Sequence, residues 1–217
     1  VSDKDADQDR DAVPGWLRDL ADAGRKMEIN PMSQPPAEGG RASAVLVLFA
    51  GGPGTGQNDP DLLFIQRSAD LRLHAGQPAF PGGTIDAADE GPVGAALREA
   101  AEEVGLDPGG VDVAGTLPEL FIPRTGFRVV PVLAWWREPC AVAPVDPAEV
   151  AAVERISVSE LADPDIRVTV RGPSGYLGPA FQVKGMLIWG FTAVLVDRLL
   201  ALGGWERPWD TAKVTDL

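Results

Sequence analysis

Apolar and polar positions change their period several times along the chain. Residues 1–13 are mostly polar and charged, which predicts disorder. A helical period opens at Pro14 and sets Leu17, Leu20 and Ala21 on one face. Residues 30–40 are rich in Pro and Gly and read as a linker. The boundary is therefore placed near Arg41, with an extension over 1–40 and a folded domain over 41–217. Residues 44–50 form a continuous apolar run and predict a strand buried on both faces. A Gly/Pro/Asn/Asp-rich loop over 51–60 separates it from a second strand over 62–66, and a glycine-rich loop follows over 78–83. Helical spacing covers 92–104. Further strands are predicted over 111–115, 128–136 and 149–156. An amphipathic helix is predicted over 185–202, with Ile188, Phe191, Leu195 and Leu199 among its apolar positions. Strands and helices intermingle, so the class is α/β or α+β.

Charge narrows the partners. The net charge of −13 over 217 residues, with no basic run longer than two, excludes a general nucleic-acid binder. A small phosphorylated substrate remains compatible if a cation stands between its phosphates and the carboxylates. The longest apolar stretches, 44–50 and 186–196, fall short of the roughly 20 residues that span a bilayer. The start carries no signal-peptide core. The single cysteine, Cys140, permits neither an intrachain disulfide nor a cysteine zinc cluster. These features fit a cytoplasmic protein.

The helix over 92–104 carries the chemistry. Pro92 suits its first position and Gly105 the position just beyond its end. At roughly 100° per residue, Glu99, Glu102 and Glu103 fall within an arc of about 100°. Val93, Leu97, Ala100 and Val104 group on a separate apolar face. Three carboxylates this close repel one another, and a divalent cation would relieve them. Mg²⁺ favours carboxylate oxygens and also binds substrate phosphates. The alternative for such a helix alone is a solvated face with an Arg98–Glu102 pair.

The flanking residues decide between these readings. Glu90, seven residues, Arg98-Glu99, two residues, Glu102-Glu103, one residue and Gly105-Leu106 resembles the core of the Nudix box. In one place it departs from the family pattern, which has five residues between its first glycine and first glutamate. Six separate Gly83 from Glu90, which places a one-residue insertion in the loop 84–89. The resemblance implies an α/β/α sandwich around a mixed β-sheet and metal-dependent hydrolysis of a diphosphate linked to a nucleoside. It also implies Mg²⁺ or Mn²⁺ held by Glu99, Glu102 and Glu103, with a backbone carbonyl near Gly82 or Gly83. Glu99 and Glu103 are the implied catalytic residues, with Glu149 a further candidate base. Glu90, Arg98 and Gly105 are implied structural residues, Arg98 locking the helix to the loop through Glu90.

Upstream, Arg67-Ser68, Arg72, Gly76 and Phe80-Pro81-Gly82-Gly83 resemble the extra signature of the coenzyme A pyrophosphatase branch of that family. Ile188-Trp189-Gly190-Phe191-Thr192-Ala193 resembles that branch's C-terminal helix. The resemblance thus covers about 41–205 and implies cleavage of coenzyme A or acyl-CoA to 3′,5′-ADP and (acyl-)4′-phosphopantetheine. Arg67, Ser68, Arg72, His74, Gln77, Phe80, Gly82 and Gly83 are the implied substrate-binding residues. Phe80 fits a pocket wall or the core equally. The competing readings are a Nudix pyrophosphatase acting on NADH or ADP-ribose, and a catalytically silent Nudix-like binding module. A homodimer is implied by the resemblance only. The glycines of Gly51-Gly52-Pro53-Gly54-Thr55-Gly56 are not a P-loop, because Gln57-Asn58 stand where Lys and Ser/Thr are required.

Overall fold

The computed structural model describes residues 13–30, 33–52, 56–71, 74–172 and 175–217. Helix α1 (Gly15–Arg25) precedes a hairpin of β1 (Arg41–Gly52) and β2 (Gly56–Arg67), followed by β3 (Pro78–Ala79) and β4 (Gly82–Thr84). Helix α2 (Gly91–Val104) leads into β5 (Val111–Thr116), β6 (Leu120–Ile122) and β7 (Phe127–Trp136). Then come β8 (Val150–Ser157), α3 (Val158–Leu161), β9 (Arg167–Arg171), β10 (Leu177–Val183), β11 (Met186–Ile188), α4 (Gly190–Leu202) and β12 (Val214–Asp216).

The larger sheet has the order β3-β2-β1-β7-β5, with β4 paired to β1, β6 to β7 and β8 to β2. Strands β1 and β7 run parallel from Arg41↔Phe127 to Ala50↔Trp136, while the other pairs of this sheet are antiparallel, so the sheet is mixed. Alternation along β1 explains its unbroken apolar run. Ala44, Leu46, Leu48 and Ala50 pack with Ala95, Ala96, Ala100 and Val104 of α2. Val47 and Phe49 pack on the opposite face with Leu17, Leu20 and Ala21 of α1 and Leu195, Val196 and Leu199 of α4. A central strand with helices on both sides has no polar face to show. The N-terminal helix thus shares one core with the sheet, and Trp16 packs edge-on against Phe49, Trp135 and Trp205.

Three segments differ from the sequence expectation. The expected loop over 51–60 is shorter, because β1 runs to Gly52 and β2 begins at Gly56, with 53–55 outside the described residues. The expected helix over 185–202 begins only at Gly190. Its first part is β11, joined to β10 by a turn in which Lys184 and Gly185 both have positive φ (50° and 76°). That is the backbone of a tight hairpin. An apolar run flanking such a turn satisfies either period. A second sheet, β11-β10-β9-β12, was not expected at all. The alternation of Val168 and Val170 marks it, and both are buried. The expected disorder of 1–13 falls almost wholly outside the described residues. Among the described residues no helix is long and apolar enough to cross a membrane.

Candidate active site

Helix α2 starts at Gly91, has Pro92 in its first turn and stops at Gly105, whose φ of 71° is left-handed. Glycine accepts that conformation without a Cβ penalty, so the helix ends there. Its buried face is Ala95, Ala96, Ala100 and Val104. The three expected carboxylates border that face, with Glu103 buried in it, and do not share one environment. Glu103 is 7% exposed, Glu99 20% and Glu102 60%.

Glu103 lies in the seam between α2 and the β4 turn. Its Oε2 accepts the Gly82 N–H at 3.0 Å, and its Oε1 stands 3.6 Å from Nη1 of Arg67. Burial pushes its pKa up to about 7, and the charges of Glu99 and Glu149 add to the rise. The Gly82 N–H and the Arg67 charge pull the other way without cancelling it. Burial raises Glu99 as well, against the neighbouring Arg98. The glycines make this seam possible. A Cβ on Gly82 (φ 152°) would lie 2.3 Å from the Ala44 carbonyl oxygen, and one on Gly83 would lie 2.5 Å from the Glu99 carboxyl carbon. Gly82 lets β4 lie against the β1 backbone, and Gly83 leaves room for the Glu99 carboxylate.

Arg98 corrects one expectation. It does not lock to Glu90. Its Nε and Nη2 donate to the two oxygens of Asp89 at 2.8 and 3.1 Å, and Nη2 also donates to the Thr84 carbonyl at 3.0 Å. Glu102 and Glu99 complete the ring around it at 2.9 and 3.1 Å. Arg98 and the Asp86 N–H hold the Asp89 carboxyl below the usual range. Asp89 follows Gly83 after five residues, the family's own spacing for this acid. The extra residue therefore sits after the acid, at Glu90, which is the exposed N-cap position. The positive φ of Gly91 (71°) turns the chain into the helix beyond it. Sequence reasoning missed Asp89 because it counted back from the arginine, and counting forward from the glycine finds it. Asp89→Ala is expected to lower turnover roughly tenfold by unlatching the loop from the helix, with Glu90→Gln near wild type. Steady-state kinetics on both variants decides between the two acids.

The upstream segment reaches the same place in part. Arg67 ends β2 beside Glu103. Ser68 is buried and works within its own loop. Its hydroxyl accepts the Asp70 N–H at 3.3 Å, its carbonyl accepts the Gly76 N–H at 3.1 Å, and its N–H donates to Glu149 O at 2.9 Å. His74, at φ 57°, and Gln77 engage each other, Nδ1 to Oε1 at 2.8 Å. Phe80 resolves to the core, buried and stacked on Phe64 at 4.9 Å between ring centroids. Arg72 lies outside the described residues. Glu149 is exposed, and its charge reaches Glu103.

Among the described residues no three His, Cys, Asp or Glu side chains form a ready metal cage. Arg98 pairs with both Glu99 and Glu102, while Glu103 faces Gly82 and Arg67. Two surface clefts, of about 340 and 460 Å³, involve the segment 204–209 and, for the larger, Asp59, Pro60 and α3. No carboxylate of α2 and no residue of the Arg67–Gly83 segment lines either.

Residues 40–172 match the NUDIX domain family. An uncharacterized Nudix hydrolase, NudL, from Pectobacterium atrosepticum is 37% identical over 184 residues, which covers 82% of this chain and 90% of that protein. NudL from Citrobacter koseri is 50% identical over 93 residues. That match spans 43% of this chain and 45% of the relative, so the chain aligns with under half of that protein's length. Among solved structures, a Nudix hydrolase from M. smegmatis, RenU, superposes with a TM-score of 0.55 at 24% identity, covering 82% of this chain and 96% of that one. This likeness concerns the fold, a mixed sheet between helices. With the family matched over more than half its length and a long relative above 30% identity, the chain belongs to the Nudix hydrolase family.

Proposed function

We propose that this Nudix hydrolase cleaves the diphosphate of coenzyme A or its acyl derivatives. The observation that carries this reading is the meeting of two motifs. Arg67 of the coenzyme A-type segment stands 3.6 Å from Glu103 of the carboxylate helix.

A divalent ion fits the donors present. Glu99 and Glu103 offer carboxylate oxygens beside the Gly82–Gly83 backbone, an all-oxygen set of the kind Mg²⁺ or Mn²⁺ prefers. Burial holds the Glu103 pKa up at about 7 despite the Arg67 charge beside it, so a further cation at this carboxylate would be favoured. When bound, the ion polarises phosphate oxygens and lowers the pKa of water. Glu103 and Glu99 would hold it through their carboxylate oxygens, and Glu103 would give up its proton on binding. Glu99, the more open of the two, is the better placed to take a proton from the attacking water. Arg67 offers charge-assisted donors to the diphosphate. Water adds across the bridge, so one P–O bond forms, one breaks, and 3′,5′-ADP leaves with (acyl-)4′-phosphopantetheine as partner product.

The test is product analysis with Mg²⁺ and a panel of coenzyme A, acetyl-CoA, NADH and ADP-ribose. Release of 3′,5′-ADP from coenzyme A faster than cleavage of the other two classes is expected. Rapid turnover of NADH or ADP-ribose without 3′,5′-ADP formation would refute the coenzyme A reading and leave the hydrolase.

A further inference from the structure

We propose that Arg67 is a built-in counter-cation of Glu103 that is handed to the substrate diphosphate when a divalent ion takes its place beside that carboxylate. The inference rests on the metal-dependent diphosphate reading above.

The geometry of one carboxylate carries it. Oε2 of Glu103 is engaged by the Gly82 N–H at 3.0 Å, and the residue is 7% exposed. Oε1 is the remaining oxygen, and Arg67 Nη1 faces it at 3.6 Å. An ion on this carboxylate and Arg67 therefore compete for the same buried negative charge. An ion bonded to Oε1 at about 2.1 Å would stand no more than about 6 Å from Nη1. A guanidinium cannot lose its charge to relieve that repulsion, and turning away from Glu103 is the relief left to it.

Arg67 is also poorly settled where it is. At 3.6 Å its contact with Glu103 is an ion pair and is too long for a hydrogen bond. Its Nε is buried with no hydrogen-bond partner. A planar fork with vacant donors is matched by two phosphate oxygens, which accept in parallel. The substrate thus supplies what the parked arginine lacks, at the moment the ion displaces it. Arg98 plays no such part, because Asp89 and the Thr84 carbonyl already take its donors. The consequence is thermodynamic coupling. Diphosphate raises ion affinity by rehousing the arginine, and the ion raises diphosphate affinity equally.

The experiment is calorimetric titration of Mn²⁺ into the full chain, without turnover, in the absence and presence of saturating α,β-methylene-ADP. Wild type, Arg67→Gln, Arg67→Lys and Glu103→Gln are compared, each checked for folding by circular dichroism, with Arg67→Met in reserve should the glutamine variant not fold. Without the analogue, Arg67→Gln should bind Mn²⁺ about tenfold more tightly than wild type, and Arg67→Lys within about threefold of it, because the lysine keeps the charge. The analogue should tighten Mn²⁺ binding about tenfold in wild type and less than about threefold in Arg67→Gln. Equal or weaker Mn²⁺ binding by the neutral variants overturns the inference. If Mn²⁺ still binds wild type and is lost in Glu103→Gln, the metal reading survives that outcome. No Mn²⁺ binding by wild type overturns both.

Discussion

Glu103→Gln is expected to lower turnover by about three orders of magnitude, equivalent to about 4 kcal/mol of barrier, while making the metal-free protein more stable above neutral pH. The two effects share one cause. Burial raises the Glu103 pKa from 4.5 to about 7. The folded state then holds this proton more tightly than the unfolded state does. Stability from this group is fully present below about pH 4.5, declines as pH rises towards about 7, and stays low above it. The loss is about 3 kcal/mol, from a rise of about 2.5 units. Glutamine cannot ionise, so the variant escapes it. Urea unfolding in chelator at pH 5 and pH 8.5 reads the difference. Wild type should weaken markedly over that span relative to the variant, and Mg²⁺ should restore wild type alone. A wild-type profile parallel to the variant's would show that the carboxyl is not strained by its burial. Loss of activity without the pH-dependent gain in stability would separate the chemical role from the electrostatic one.

Much of this arrangement is visible in the sequence, for physical reasons that differ along the chain. Helix α2 is bounded by Pro92 and Gly105 and patterned by small apolar residues, signals that are local and mutually consistent. Strand β1 declares itself as a central strand because it has no polar side. The spacing of Glu99, Glu102 and Glu103 gives their common face but not their different fates. Those depend on what lies opposite. Gly82 and Arg67 close over Glu103, while Glu102 stays exposed and pairs with Arg98. The Arg98–Asp89 latch was hidden by a single extra residue, since counts from the arginine and from the glycine reach two adjacent acids and only the fold shows which one turns inward. The second sheet was missed because its strands are short and one arginine, Arg167, stands fully buried where an apolar residue would be expected. Asp197 pairs with it, and the rings of Phe181 and Trp209 lie against it at 5.2 and 4.6 Å. Its partners come from 14 to 42 residues further along the chain, beyond the reach of any local period.

Gly83→Ala is expected to remove about two orders of magnitude of turnover from a protein that still folds, and it tests the seam from the opposite wall. The added methyl would sit 2.5 Å from the Glu99 carboxyl carbon and 2.5 and 2.6 Å from its oxygens. No backbone atom is among these nearest neighbours, and Gly83 has no positive φ. A side chain can move aside where a backbone cannot, so the fold should persist while Glu99 is driven from its place. Arg98 then gains the displaced carboxylate more fully, since its Nη2 already stands 3.1 Å from Glu99. The ion would lose a ligand and the attacking water its neighbour. Gly82→Ala provides the contrast. There the methyl meets the Ala44 carbonyl oxygen at 2.3 Å and Val45 Cα at 2.7 Å, at a φ of 152° that alanine rarely adopts. That variant should separate β4 from β1 and withdraw the N–H from Glu103, with a large fall in Tm. Circular dichroism melts set beside kcat for the two variants distinguish the cases. Equal loss of Tm would mean that the β4 turn serves only the fold. A cold, folded and inactive Gly83→Ala would mean that the second glycine is there to leave room for a carboxylate.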